Sequence, residues 1–232
     1  MKALRIYTIT AAFLLLLSAC NKKGYYIDGG TEDGTYKGTI MQYLESRPDV
    51  FAQLVDVIKY AGMETVLSSE EVTFFAPADS SIRRTLEITN LLIPFAGKPV
   101  ITKITDVKPE IWRKYLSRYV FKGSKSLSDY PQIDIGNLSA YSGQMYASYD
   151  GVPMNVGVNF TDANGVKYAG YRYLLISLVN SATPRDYTTW WSAFVASSNI
   201  KASNGYIHAL QFDIHEFGFR SLDFANDLIY NN

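Results

Sequence analysis

One change along this chain restricts its fold more than any other: the spacing of apolar residues switches from helical to alternating. Ile40, Tyr43 and Leu44 keep i, i+3, i+4 spacing and predict a short first helix. Pro48 then stands at an N1-like position with Asp49 in the first turn, and Phe51, Leu54, Val55 and Ile58 make one apolar stripe that Gly62 is placed to end. Val72–Ala76 is a short β-type run stopped by Pro77. Asp79 or Ser80 can N-cap a helix through about Asn90, with Ile82 and Leu86 facing inward. Pro109 opens another helix with the stripe Trp112, Tyr115, Leu116 and Tyr119, and Gly123 follows it. After that the period is two. Met145–Val156 contains Asp150-Gly151 and Val158–Tyr173 contains Asn164-Gly165, both hairpin signals. Tyr171–Val179 is a nearly continuous apolar strand, and Ile200–Glu216 reads as a hairpin around Asn204-Gly205. Helices followed by antiparallel strands predict an α+β domain rather than a parallel βαβ sheet.

Composition narrows the chemistry. Twenty-two basic and 22 acidic side chains balance, with no long basic run, which argues against nucleic acid as a partner. A single cysteine excludes an intrachain disulfide and a cysteine zinc cage, and two histidines make a multi-histidine metal site a poor expectation. No Gly-x-Ser-x-Gly elbow and no glycine-rich phosphate loop is present. Asp162-Ala163-Asn164-Gly165 lacks the later glutamate of a calcium loop and reads as a turn. No cofactor, metal or catalytic residue is therefore expected, and the chain does not read as an enzyme.

The amino terminus places that cysteine. Lys2 and Arg5 precede an apolar stretch from Ile6 to Leu17, too short for a membrane span and right for a signal peptide. Leu17-Ser18-Ala19-Cys20 resembles the bacterial lipobox, which implies cleavage after residue 19 and lipidation of Cys20. Several acyl chains make a stable anchor. Asn21, where an aspartate would signal inner-membrane retention, points to an outer-membrane lipoprotein facing the periplasm or the outside. Residues 20–35, with Asp28, Glu32 and Asp33 among glycines, read as a solvated, flexible tether.

Two segments then resemble the fasciclin domain. Thr73-Phe74-Phe75-Ala76-Pro77-Ala78-Asp79-Ser80-Ser81-Ile82 matches the family's first box, and Asn199 through Leu210, with Asn204-Gly205 and Ile207-His208, matches the second. Val50–Gly62 and Leu116–Gly123 resemble the family's first long helix and its middle helix. The resemblance implies a domain over 36–219, with antiparallel strands in two packed sheets and helices wrapped on one side, followed by a tail at 220–232. It makes Thr73, Phe75, Ala76, Pro77, Asp79, Asn204, Gly205, Ile207 and His208 structural motif residues. His208 reads as a half-buried histidine bonded to the core. His215, seven residues on, would face the other way in a straight strand.

The sequence departs from the family pattern twice. Animal members carry an adhesive tyrosine–histidine pair near the end of the middle helix, where this chain has Arg118 and Tyr119, so that role does not carry over. The chain also inserts a segment at about 180–198 that holds Tyr187, Trp190, Trp191 and Phe194. With 18 tyrosines and three tryptophans in the chain, Tyr187, Trp190 and Trp191 are the candidate binding residues, because such rings form stacking platforms and interface anchors. The other reading of the segment is a short helix from about Arg185 that lays Trp191 and Phe194 onto the sheet. The resemblance implies a non-enzymatic, lipid-anchored adhesion or interaction module, in the setting of outer-membrane glycan uptake. The alternative is a surface lipoprotein that binds a glycan or small ligand through the inserted aromatics.

Overall fold

The structure is a computed structural model that describes residues 34–184 and 186–231. The expected signal peptide, Cys20 and the expected tether up to residue 33 lie outside the described residues, as does Arg185. Gly34 and Tyr36 already exchange backbone hydrogen bonds with Lys201, so the domain starts where the tether was expected to end.

Three short helices lead. α1 (Ile40–Glu45) is opened by a capping box in which Thr39 and Gln42 satisfy each other's backbone N–H groups. α2 (Pro48–Tyr60) has Pro48 at its start and buries Phe51, Leu54, Val55, Val57 and Ile58; Gly62, at φ +68°, follows its end. α3 (Glu64–Ser69) leads into β1 (Val72–Ala76), which is buried at every position. α4 (Asp79–Leu92) and α5 (Pro109–Leu116) bracket a long loop. The strands follow: β2 (Val120–Lys122), β3 (Gln132–Ile133), β4 (Gln144–Ala147), β5 (Pro153–Phe160), β6 (Arg172–Leu178), β7 (Trp191–Ala202) and β8 (Gly205–Leu210). Asp150-Gly151 lies in the β4–β5 connection, and Asn164-Gly165, both at positive φ, turn the chain between β5 and β6.

The α+β class holds, and the sheet is mixed. Its order is β2-β1-β8-β7-β6-β5-β3, with β4 also paired to β5. β1 lies parallel to β8, and β3 parallel to β5, where alternation alone suggested antiparallel pairs throughout. Neither pair is joined by a tight turn, so nothing local fixes the direction of its strands. β7 is the bend of the sheet. Residues 191–194 pair with β6 and residues 195–202 with β8, with register breaks around Ser197.

Three boundaries differ from expectation. The last part of the inserted segment is strand, since β7 begins at Trp191, and among the segment's described residues the helical turn before it is a 3-10 turn at Tyr187–Thr189. The hairpin turn is Ser203-Asn204, with Ala202 paired to Gly205, one residue earlier than the Asn-Gly dipeptide suggested. Residues 221–231, expected as a tail, form helix α6 (Ser221–Asn231). It buries Phe224, Ala225 and Leu228 in the common core, with the Phe224 ring 5.2 Å from Trp112 and 5.0 Å from Tyr115. Helix stripes and the inner sheet face share that one core.

Candidate functional site

The parallel register of β1 and β8 brings the two motif segments side by side, with Phe75 opposite His208 and Ala76 opposite Ala209. Their polar residues act as ties. Thr73 Oγ1 donates to the Gly123 carbonyl at 2.7 Å and accepts the Lys125 N–H at 2.8 Å. The Asp79 carboxylate does not cap its own helix, whose N-cap is Ala78; it accepts the backbone N–H groups of Gln53 and Leu54 in α2 at 3.0 and 2.9 Å. Asn204 Oδ1 accepts the Ile40 N–H, and Nδ2 donates to the carbonyls of Leu67 and Glu70. At Gly205 a Cβ would come within 1.7 Å of the Val72 carbonyl oxygen, and φ is +149°. Pro77 and Ile207 are buried beside them.

Both histidines are enclosed. His208 Nε2 faces the Lys125 carbonyl at 3.0 Å and Nδ1 faces the Asn199 N–H at 3.2 Å. A carbonyl only accepts and an amide N–H only donates, so the proton sits on Nε2 and the ring is neutral. Asn199 stands in the bulged stretch of β7 at φ +63°, which aims its N–H at the ring. Burial pushes the His208 pKa down to about 4. β8 ends at Leu210, so the straight strand that would set His208 and His215 on opposite faces does not reach His215. His215 shares a 2.7 Å hydrogen bond with Tyr119 Oη, and burial, aided by the Arg84 charge, lowers its pKa to about 3. These rings are fixed as neutral core groups, and among the described residues no cluster of ligating side chains could hold a metal.

The inserted aromatics divide between the two faces of the sheet. Trp191, Ala193 and Val195 alternate onto the core side of β7, and the Arg220 guanidinium lies 4.7 Å over the Trp191 ring. On the outer side Ser192 meets Ser177 through a 2.8 Å hydroxyl pair, and the Phe194 ring lies 5.8 Å from Tyr173. Tyr171 lies 5.7 Å from Tyr173 and is 72% exposed. Tyr187 is close enough to help raise the Tyr173 pKa, though burial is the main cause, and its own ring lies 5.6 Å from Trp190. The Trp190 indole N–H is shielded and has no acceptor among the described residues. Tyr171, Tyr173, Phe194, Tyr187 and Trp190 therefore form an aromatic face on β6, β7 and the loop before β7. Sequence reading named Tyr187, Trp190 and Trp191; of these Trp191 turns to the core side instead, and Tyr171 and Tyr173 were missed. Their alternation with Leu174 and Ile176, two core residues, was the signal that pointed outward.

The Fasciclin domain model matches residues 49–211, which take in both motif segments and the sheet between them. The chain belongs to the fasciclin-domain family. Among solved structures, this fasciclin domain is similar to a FAS1 domain pair from the insect cell adhesion molecule Fasciclin I, at 15% identity and a TM-score of 0.47. That match covers 77% of this chain and 51% of the other, so the chain spans about half the length of the domain pair. Comparison with curated protein sequences returned no match. Fasciclin domains are generally non-catalytic adhesion or interaction modules of the cell surface or extracellular space. No described helix is long and apolar enough to cross a membrane.

In this fasciclin domain the positions of the animal tyrosine–histidine pair are internal. Arg118 stacks over Tyr115 at 4.4 Å and donates to the Gly218 carbonyl at 2.6 Å. Tyr119 is wholly buried, with its ring stacked against Phe217 and Phe219 and its Oη accepting the Gly218 N–H. A second surface feature is a cleft of about 400 Å³ floored by Phe121 and Tyr130 and walled by Tyr146 and Tyr149. Lys125 and Lys122 lie over those two wall rings at 5.7 and 5.5 Å.

Proposed function

We propose that this fasciclin domain is a non-enzymatic interaction module, held by a lipid on Cys20 at the outer membrane, that engages a partner through the aromatic face of β6 and β7. The observation that carries the reading is that face. Five large rings gather on the outer side of the sheet, where the rings of Tyr171, Tyr173 and Phe194 neighbour one another, while the core has its own set. Of the five, Tyr171 is exposed and the other four are half-buried. Clustered, partly exposed aromatics on a folded domain supply contact area at low entropic cost, and Trp and Tyr dominate interface hot spots. The expected setting is accessory to an outer-membrane glycan-uptake complex.

The second reading, direct glycan binding, is favoured by the character of the same rings. Flat, half-exposed Tyr and Trp faces next to hydroxyl-bearing Ser192, Thr188 and Thr189 suit the apolar faces and hydroxyls of a sugar ring. Affinity capture of the intact lipoprotein from its own membranes, with co-purifying proteins and sugars identified, separates the two. A protein recovered with wild type but lost from Tyr173→Ala supports the first reading. A sugar lost in the same way supports the second, and recovery unaffected by Tyr173→Ala rejects both. The anchor has its own test: a clickable fatty acid should label wild type and not Cys20→Ala, and equal labelling would refute it.

A further inference from the structure

The last turn of α4 and the loop after it carry the most exposed apolar cluster of the described surface. Leu91 is 71% exposed, Phe95 92% and Val100 52%, with Pro94, Ala96 and Pro99 exposed between them. Tyr230, on the α6 segment whose Leu228 shares a cleft with this loop, is 80% exposed. The segment is not a frayed end. Ile93 is buried beneath it, Ile93–Ala96 forms a 3-10 turn, and Gly97 closes that turn at φ +73° with its N–H on the Pro94 carbonyl. The Asn90 side chain then clasps Ile101 from both sides, accepting its N–H at 2.8 Å and donating to its carbonyl at 2.9 Å. A pinned turn therefore holds Phe95 out in water.

We infer that this turn is a membrane-docking site, with Phe95, Leu91 and Val100 entering the interfacial layer of an anionic bilayer. Three observations choose a bilayer over a protein. The apolar tip comprises about six residues, whereas a stable protein interface uses roughly 20–30 a side. A bilayer needs only a small wedge. The flank is basic: Lys98, Lys103 and Lys108 follow within the same loop against one acid, Asp106. Asp106 accepts from Thr102 and the Lys103 backbone N–H and lies 4.0 Å from Lys103 Nζ, while Lys108 Nζ donates to the Asn231 carbonyl at 2.9 Å. The loop thus keeps an excess of two positive charges, three minus one. Lysines beside an apolar tip keep their charge among lipid headgroups while their stems stay apolar. The exposed Tyr230 adds the amphipathic ring that favours the interface. Docking does not require the lipid on Cys20, although such an anchor would raise the local concentration of bilayer.

The test uses the full-length protein with phosphatidylcholine vesicles containing one quarter phosphatidylglycerol. An environment-sensitive fluorophore is placed at Phe95→Cys or, as control, at the exposed Ser139→Cys, each with Cys20 replaced by Ala. Docking predicts a blue-shifted label at position 95 that acyl-chain spin labels quench at least threefold more than the label at position 139. It also predicts that Lys98→Glu with Lys103→Glu, or raised salt, removes most of this difference. Equal quenching at both positions overturns the inference. So does a blue shift at position 95 that is already complete without vesicles, because the tip is then covered by protein. Neither result bears on the Cys20 anchor, which fatty-acid labelling reads separately.

Discussion

Asn204 Oδ1 accepts the backbone N–H of Ile40 at 2.8 Å, across 164 residues of sequence. The same side chain donates to the carbonyls of Leu67 and Glu70. One amide thus satisfies the first turn of α1 and the last carbonyls around α3, and it fixes both helices to the β7–β8 hairpin. Asn204→Ala leaves one donor and two acceptors seeking water, and is expected to cost about 2–4 kcal/mol in urea unfolding. Asn204→Asp should cost more, since it turns a carboxylate toward two carbonyls. An alanine variant as stable as wild type would show that the helices do not depend on this tie.

The glycines give a paired prediction. Gly205→Ala forces a Cβ against the Val72 carbonyl oxygen inside the β1–β8 pair and should destabilise by more than about 3 kcal/mol. Gly151→Ala, at φ +86° with open space around its Cβ, pays only the backbone term, about 1 kcal/mol. Equal losses in thermal unfolding would contradict the steric account.

The histidines set a pH dependence. His208 and His215 have folded pKa values of about 4 and about 3, both below the ordinary 6.5, because burial penalises the charged ring. The unfolded chain therefore takes up protons first as pH falls below 6.5, and folding stability drops with it. The contribution is complete above about pH 6.5 and is lost down toward the folded values, by up to about 1.4 kcal/mol per pH unit for each ring. The midpoint temperature should fall between pH 6.5 and 5, and His208→Gln should flatten that fall. An unchanged slope in the variant would mean that His208 is not held neutral.

The adjacent tryptophans should behave differently. Trp191→Ala removes a ring packed on the core and under Arg220, and is expected to cost about 3 kcal/mol. Trp190→Ala, on a loop whose ring partner is Tyr187, should cost under about 1.5 kcal/mol. Comparable losses in the two variants would place both rings in the core.

Much of this fold is legible in the sequence because its signals are local. Pro48 and Pro109 open helices, Gly62 closes one, and Asn164-Gly165 turns a hairpin, each through its own backbone preference. What escapes depends on distant partners. Asp79 has the chemistry of a helix cap, yet its carboxylate goes to α2, which only the packed fold brings near. The parallel pairing of β1 with β8 leaves no local trace, because no short turn joins them. The final helix was hidden by its mixed stripe, in which Phe224 and Leu228 alternate with exposed Leu222 and Tyr230. At the candidate site, Trp190 and Tyr187 announced themselves by composition. Alternation with Leu174 and Ile176 pointed Tyr171 and Tyr173 outward, but only the pairing of β6 with β7 sets them beside Phe194.

The central claim is that the aromatic face of β6 and β7 is the recognition surface. It is tested most directly by comparing wild type with a Tyr173→Ala, Trp190→Ala double variant in capture from native membranes, with thermal midpoints measured on the same preparations. The account predicts that the variant keeps its fold, with a midpoint within a few degrees of wild type, and loses at least ten-fold in retention of the protein or glycan that wild type recovers. Full retention by a folded variant would contradict it.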